Sequence, residues 1–113
     1  MVNSMVLLNT NGPLPVSAKF TAPAEGSVMF LLSGTAWTQS GPAMIGVNLF
    51  LDGEGIGNAS MCFANINTYH MALRPTFILF ENLTFGDHLL QVEAAFSNTV
   101  SDVNDSFQVT MLY

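Results

Sequence analysis

Apolar side chains occupy every second position along several stretches of this chain, and this period of two is the strongest constraint on its fold. The last segment shows it most clearly, with Phe107, Val109, Met111 and Tyr113 at alternate positions. Alternation of this kind is typical of a β-strand with one face against a core. Since no stretch of eleven or more residues combines a helical period with helix caps, the pattern predicts an all-β protein.

Other segments with strand character are separated by residues that favour turns. The predicted strands cover residues 5–8, 18–21, 27–33, 45–51, 55–63, 69–73, 76–83 and 88–96, in addition to the C-terminal segment. Asp52 and Gly53 form a dipeptide suited to a tight hairpin turn with positive φ. Short strands at this spacing favour a two-sheet β-sandwich, and we predict a jelly roll of eight to ten strands. A length of 113 residues suits one domain, covering residues 1–113.

Charged residues are scarce, which constrains the surface. Two basic and eight acidic residues make up 9% of the chain, and 50% of it is hydrophobic, whereas an average domain is about 25% charged. A folded monomer of this size exposes roughly 6,000 Å², which so few charges cannot cover. The segment 27–33 is apolar on both faces, as in a central strand or one covered by a neighbouring subunit. We therefore expect a homo-oligomer whose copies hide apolar surface.

The charge balance also excludes some partners. Lys19 and Arg74 are the two basic residues, and the net charge is −6. Nucleic acids and anionic lipid surfaces require clustered cations, so we expect neither nucleic-acid nor membrane partners. The sequence contains neither a signal-peptide pattern nor a transmembrane segment, which predicts a cytoplasmic protein by default. A single cysteine, Cys62, excludes an intrachain disulfide.

The segment FTAPAEG at residues 20–26, followed by the apolar segment 27–33, resembles the region of C1q/TNF-like jelly rolls where a proline and a glycine precede a core strand. The alternating strand that ends at Tyr113 is similar to the way those domains close. DVNDSFQV at residues 102–109 also resembles the end of small uncharacterised bacterial β-domains. This chain departs from C1q-like domains by having Ser27 where they usually carry an aromatic residue. The resemblance implies a compact homotrimer packed around a threefold axis, without catalytic residues.

The loop before the last strand contains candidate metal ligands. Asp102, Asn104 and Asp105 place three oxygen-bearing side chains within four residues, and oxygen atoms are the ligands that Ca²⁺ uses. The loop lacks the glycine and the terminal glutamate of an EF-hand. Aspartate and asparagine are also selected by turns, where their side chains bond local backbone amides. The sequence thus allows a calcium site or a structural turn here, and we expect no other cofactor.

A candidate ligand site centres on Trp37, which follows a predicted core strand among hydroxyl and amide side chains. Its ring could stack on a sugar while Gln39, Asn65 and Asn67 bond the sugar hydroxyls. In the alternative interpretation, the ring caps the core or fills a subunit interface.

His70 and His88 are the two histidines of the chain. If the strands brought them together with Asp87, they would form a metal site or an acid–base pair. Their spacing matches no zinc signature, so we interpret each as a hydrogen-bonded structural residue.

The leading hypothesis for function is a non-enzymatic, homo-oligomeric jelly-roll module with a structural or recognition role, trimeric according to the family resemblance. The alternative is a carbohydrate-binding lectin centred on Trp37 and assisted by calcium through Asp102 and Asp105. An enzyme that uses His70 or His88 is a third class, which requires both histidines to face one pocket.

Overall fold

Nine β-strands run through the computed structural model, which describes residues 2–39, 42–64 and 69–113, without the side chains of residues 58–64. They are β1 (Ser4–Asn11), β2 (Val16–Ala22), β3 (Gly26–Ala36), β4 (Ala43–Leu51), β5 (Glu54–Ala64), β6 (Met71–Ala72), β7 (Thr76–Leu83), β8 (Gly86–Ala94) and β9 (Ser106–Leu112).

The strands form two antiparallel sheets that pack face to face. The first sheet has the order β1-β9-β3-β6, with β7 also paired to β3, and the second has the order β2-β8-β4-β5. The predicted all-β jelly-roll sandwich is therefore confirmed. Within the described ranges, no helix is long and apolar enough to cross a membrane.

The core lies between the sheets and follows the alternation of the strands. Phe107, Val109 and Met111 of β9 are completely buried, as predicted, and burial of a large apolar side chain contributes about 1.5–3 kcal/mol. The predicted strand over residues 88–96 is too long at its end, since β8 stops at Ala94, which is exposed. The end of a strand is set by the tertiary path of the chain and not by the local alternation.

β3 is longer than predicted because of a glycine. A Cβ atom on Gly34 would lie 2.6 Å from the ring of Phe107 and 2.8 Å from the carbonyl oxygen of Ser106. Such distances are shorter than van der Waals contact, so only glycine lets β3 pass this close to β9. The strand consequently continues to Ala36 and places Trp37 directly at its end.

The outer surface of the first sheet carries apolar side chains. Leu79 and Phe77 on β7 are 59% and 58% exposed, and they pair across the sheet with Met29 and Leu31 of β3. Met29 in turn lies opposite Leu112 of β9. We call these five residues the outer apolar face. β3 is thus a central strand that is apolar on both faces, and its outer face is only half covered within one chain.

The two ends of the chain meet. Asn3 and Tyr113 exchange backbone hydrogen bonds of 2.7 and 2.9 Å, next to the pairing of β1 with β9. At the opposite end of β9, the amide of Gly12 donates to the carbonyl oxygen of Asp105 at 2.8 Å. A seven-residue strand spans roughly 20 Å, so this distance separates the chain ends from the start of β9.

Candidate functional site

Three segments of the chain meet at the carboxyl end of β3. Trp37 and Val100 exchange backbone hydrogen bonds of 2.9 and 2.7 Å, which fix the loop before β9 against β3. β6 pairs Met71 with Ala36 in antiparallel register, and this register brings His70 across from Trp37. The two rings are tilted by 44°, with their centroids 5.8 Å apart.

Asp105 lies at the centre of this arrangement and is completely buried. Its Oδ1 atom accepts hydrogen bonds from His70 Nδ1 at 2.7 Å and from Thr35 Oγ1 at 2.8 Å, and its Oδ2 atom accepts one from the amide of Asp102 at 2.9 Å. A buried carboxylate is costly unless its oxygens are bonded. These three hydrogen bonds offset the free-energy cost of burying the carboxylate. They also connect β3, the segment before β6 and the loop before β9.

His70 is held between two carboxylates. Its Nε2 atom lies 3.8 Å from Asp102 Oδ2, and the side chains of these two residues are 37% and 41% exposed. The hydrogen bond to Asp105 is the main cause that raises the pKa of His70 above 6.5, the charges of Asp105 and Asp102 raise it further, and partial burial opposes them. Together Trp37, His70, Asp102 and Asp105 form what we call the Trp37–His70 site.

The loop before β9 contains the local side-chain bonds predicted for a structural turn. Asp102 Oδ1 accepts a hydrogen bond from the amide of Asn104 at 2.8 Å, and the amide of Asp105 donates to the carbonyl oxygen of Asp102 at 3.0 Å. One ligand atom each from His70, Asp102 and Asp105 falls within a common distance of 4.8 Å. The sequence predicted a calcium site made of oxygen atoms from Asp102, Asn104 and Asp105, and the structure places a nitrogen atom of His70 beside two of these residues. Asn104 is exposed.

The residues predicted to bind a sugar are only partly described. Trp37 is half-buried, and its Nε1 atom is buried without a hydrogen bond to the described residues. A buried donor left in this state costs about 1–3 kcal/mol. Gln39 is exposed two residues further on. Asn65 and Asn67 lie outside the described residues.

The histidines do not share partners, contrary to the alternative that grouped them with Asp87. His88 donates from Nδ1 to Asp52 Oδ2 at 2.6 Å and from Nε2 to the carbonyl oxygen of Thr84 at 2.8 Å. Its ring stacks on Phe20 at 5.5 Å. Asp87 instead accepts a hydrogen bond from a threonine on β2. His88 is thus a structural residue of the second sheet, while His70 belongs to the site at the end of β3.

Sequence reasoning missed the partnership of His70 with Trp37 and Asp105. The sequence contains only a weak signal for it, a histidine directly before a short apolar pair. The contact depends on the register of a two-residue strand, which periodicity cannot resolve.

Comparisons with known proteins place the fold but not a family. No protein-family model matches the sequence, and no curated protein matches it. Among solved structures, the chain is similar to dimeric latent PorU from Porphyromonas gingivalis, with a TM-score of 0.64 and 10% identity. The match covers 98% of this chain and 12% of PorU, so the chain spans about an eighth of that protein's length.

Two carbohydrate-binding modules match over nearly their whole length. A family 35 module from Clostridium thermocellum has a TM-score of 0.55 and 12% identity, covering 98% of this chain and 89% of the module. The CBM36-1 domain of a multidomain xylanase from the hindgut metagenome of Trinervitermes trinervoides has a TM-score of 0.50 and 13% identity, covering 98% and 97%. At these identities the similarity establishes the β-sandwich fold. The β-sandwich that the C1q/TNF-like resemblance implied is therefore confirmed, whereas the resemblance to that family and the trimer remain predictions.

Proposed function

We propose that this protein is a non-catalytic carbohydrate-binding module whose ligand site is the Trp37–His70 site. The observation that carries the proposal is the match to two carbohydrate-binding modules over 98% of this chain and at least 89% of theirs. This observation favours the lectin hypothesis over a purely structural module. One fold can host many functions, so the proposal of carbohydrate binding also depends on the chemistry of the site.

The site combines an aromatic ring with polar groups of both kinds. Trp37 is half-buried, and the apolar side of a sugar ring would stack on the accessible part of its indole. Beside it, His70 offers a ring nitrogen and Asp102 a carboxylate, and both side chains are more than one-third exposed. In the protonated ring this nitrogen donates, and a donor beside a carboxylate acceptor at this spacing suits adjacent hydroxyl groups of a sugar.

The charge of the chain favours a neutral glycan. With two basic residues and a net charge of −6, the protein repels polyanions such as uronate-rich chains. The two carboxylates of the site add to this effect locally. We therefore expect neutral polysaccharides to bind and acidic ones to bind more weakly.

Binding to arrays of neutral and acidic glycans, followed by calorimetry on the strongest ligand, tests this proposal. The variant Trp37→Ala should lose about fivefold or more in affinity, since stacking of one ring contributes on the order of 1 kcal/mol or more. Phe85→Ala is the matched control, because Phe85 is another aromatic residue, 63% exposed, in the turn before β8. No glycan binding at all, or equal affinity in Trp37→Ala, would contradict the proposal.

Self-association is a second candidate role, favoured by the outer apolar face. Contiguous apolar surface usually marks a contact region, and Leu79 and Phe77 remain more than half exposed. We propose that copies of this chain pack there, as a trimer if the C1q/TNF-like resemblance extends to assembly. Light scattering should then give a multiple of 12.2 kDa, reduced to the monomer mass by Leu79→Lys and unchanged by Val103→Lys, a control at another exposed apolar position. A monomeric protein at micromolar concentration would rule out this role.

A further inference from the structure

The imidazole of His70 is oriented so that Nδ1 is hydrogen-bonded, while Nε2 has no hydrogen bond to the residues that the structure describes. Nδ1 lies 2.7 Å from Asp105 Oδ1 and therefore carries a proton that it donates to the carboxylate. Asp105 cannot turn away, because Thr35 and the amide of Asp102 hold its two oxygens. In the neutral ring the lone pair is consequently on Nε2, which faces Asp102.

The hydrogen bond from His70 to a carboxylate is a feature that most metal-binding histidines share. Such a histidine almost always donates its second ring N–H to a carboxylate or a carbonyl, which fixes the tautomer and makes the ligand more basic. Here the supporting carboxylate of Asp105 is buried, and the side chain of His70 is 37% exposed. A carboxylate oxygen of Asp102 lies 3.8 Å from the Nε2 atom of His70.

The distance between His70 Nε2 and Asp102 Oδ2 fits two ligands of one metal ion better than it fits a hydrogen bond. At 3.8 Å, Nε2 and Asp102 Oδ2 are too far apart for a hydrogen bond. Two such ligands of a tetrahedral zinc ion lie about 3.4 Å apart, given metal–ligand distances near 2.1 Å. Asp102 is 41% exposed, so a small rotation of its side chain closes the difference.

We propose that His70 Nε2 and the carboxylate of Asp102 bind a divalent transition-metal ion of the zinc class, with Asp105 as the positioning residue. Imidazole suits zinc, copper and nickel, whereas Ca²⁺ takes six to eight oxygen ligands. The nitrogen ligand thus selects against the calcium ion that the sequence alone suggested. Two protein ligands leave coordination positions open beside Trp37. The ion site does not depend on glycan binding and is tested with metal alone.

Calorimetric titration of the whole chain with ZnCl₂ should give one site per chain that binds Zn²⁺ at least tenfold more tightly than Ca²⁺. Under conditions that saturate the wild type, His70→Ala should show no binding, and Asp102→Asn should bind at least tenfold more weakly. His88→Gln is the matched control for the other histidine, and Cys62→Ser the control for the thiol. Both controls should retain the wild-type affinity.

Nitrogen NMR distinguishes a metal ligand from a residue that only maintains the fold. Zn²⁺ should shift the Nε2 resonance of His70 and leave its Nδ1 protonated. Asp105→Asn should weaken Zn²⁺ binding about 10- to 100-fold, as expected for a group that orients a ligand, and should raise the fraction of His70 protonated on Nε2. Unchanged Zn²⁺ affinity in His70→Ala, dependence on Cys62, or tighter binding of Ca²⁺ than of Zn²⁺ would overturn the proposal.

Discussion

His88 should stabilise the fold as a cation, and its replacement should therefore have a pH-dependent cost. Both ring nitrogens face acceptors, the carboxylate of Asp52 at 2.6 Å and the carbonyl oxygen of Thr84 at 2.8 Å. A neutral imidazole has one N–H and can satisfy only one of them. The ring is nearly buried, with 9% of the side chain exposed, so water does not readily replace a lost partner.

The magnitude follows from these two bonds. The pair with Asp52 is worth about 1 kcal/mol, since that carboxylate is 49% exposed and screened by water. The bond to the Thr84 carbonyl contributes about 1 kcal/mol more. His88→Gln should accordingly lower the free energy of unfolding by about 2 kcal/mol near pH 6, or the melting temperature by about 8 °C for a domain of this size.

The sign of the pH dependence is set by the pKa shifts. The hydrogen bond to Asp52 is the main cause that raises the pKa of His88 above 6.5, and the Thr84 carbonyl also raises it. A raised pKa means that this stabilisation is complete below pH 6.5 and is lost as the pH rises through the pKa of the folded state. The pKa of Asp52 is lowered from 3.8, mainly by its bond to His88, so its contribution is lost only as the pH falls below 3.8.

Urea unfolding of the wild type and of His88→Gln between pH 5.5 and 9.5 measures the effect. The difference between the two proteins should decline to about half its size at high pH, since a neutral ring keeps one of its two bonds. Glu54→Gln is the control, because Glu54 is an exposed carboxylate that forms neither of the two hydrogen bonds of His88. A difference that stays constant over this range would refute the assignment of a charged His88.

Two further predictions concern packing and the buried carboxylate. Asp105→Asn should lower the free energy of unfolding by about 3 kcal/mol in urea, because the new side-chain NH₂ group would face the backbone N–H of Asp102. The control Asp102→Asn, at a partly exposed side chain, should lower it by less than about 1 kcal/mol. Similar losses in the two variants would contradict the central role of Asp105. Gly34→Ala should cost about 2–3 kcal/mol, as its Cβ would meet the Phe107 ring at 2.6 Å. Gly55→Ala, whose Cβ has its nearest contact at 3.5 Å, should change the melting temperature by less than about 2 °C, and equal effects at both glycines would show that close packing does not govern β3.

The fold could be predicted because its rules are local. Alternation in β9 identified the buried residues Phe107, Val109 and Met111. The turn between β4 and β5 was likewise readable, since both of its central residues, Asp52 and Gly53, have positive φ, at 53° and 83°. The same local reasoning was wrong about where β8 ends, because strand ends depend on the tertiary path of the chain.

The site could be predicted only in parts. Trp37 and Asp105 were each recognised by residue type and by position after or before a strand. Their connection runs through His70, which lies 35 residues from Asp105 in sequence, and it exists only because β6 pairs with the end of β3. Neither composition nor spacing encodes that register, so the sequence suggested calcium and could not indicate the His70 nitrogen on which our zinc proposal depends.

The meeting of the chain ends has a practical consequence for how such a module can be attached. Asn3 and Tyr113 lie side by side, at the far end of β9 from Asp105 and the Trp37–His70 site. A linker attached to either terminus would therefore leave from the end of the sandwich opposite this site. The same holds for the two linkers of a larger protein that carries this domain as an insertion. The Trp37–His70 site would then point away from the linker, which would leave it accessible.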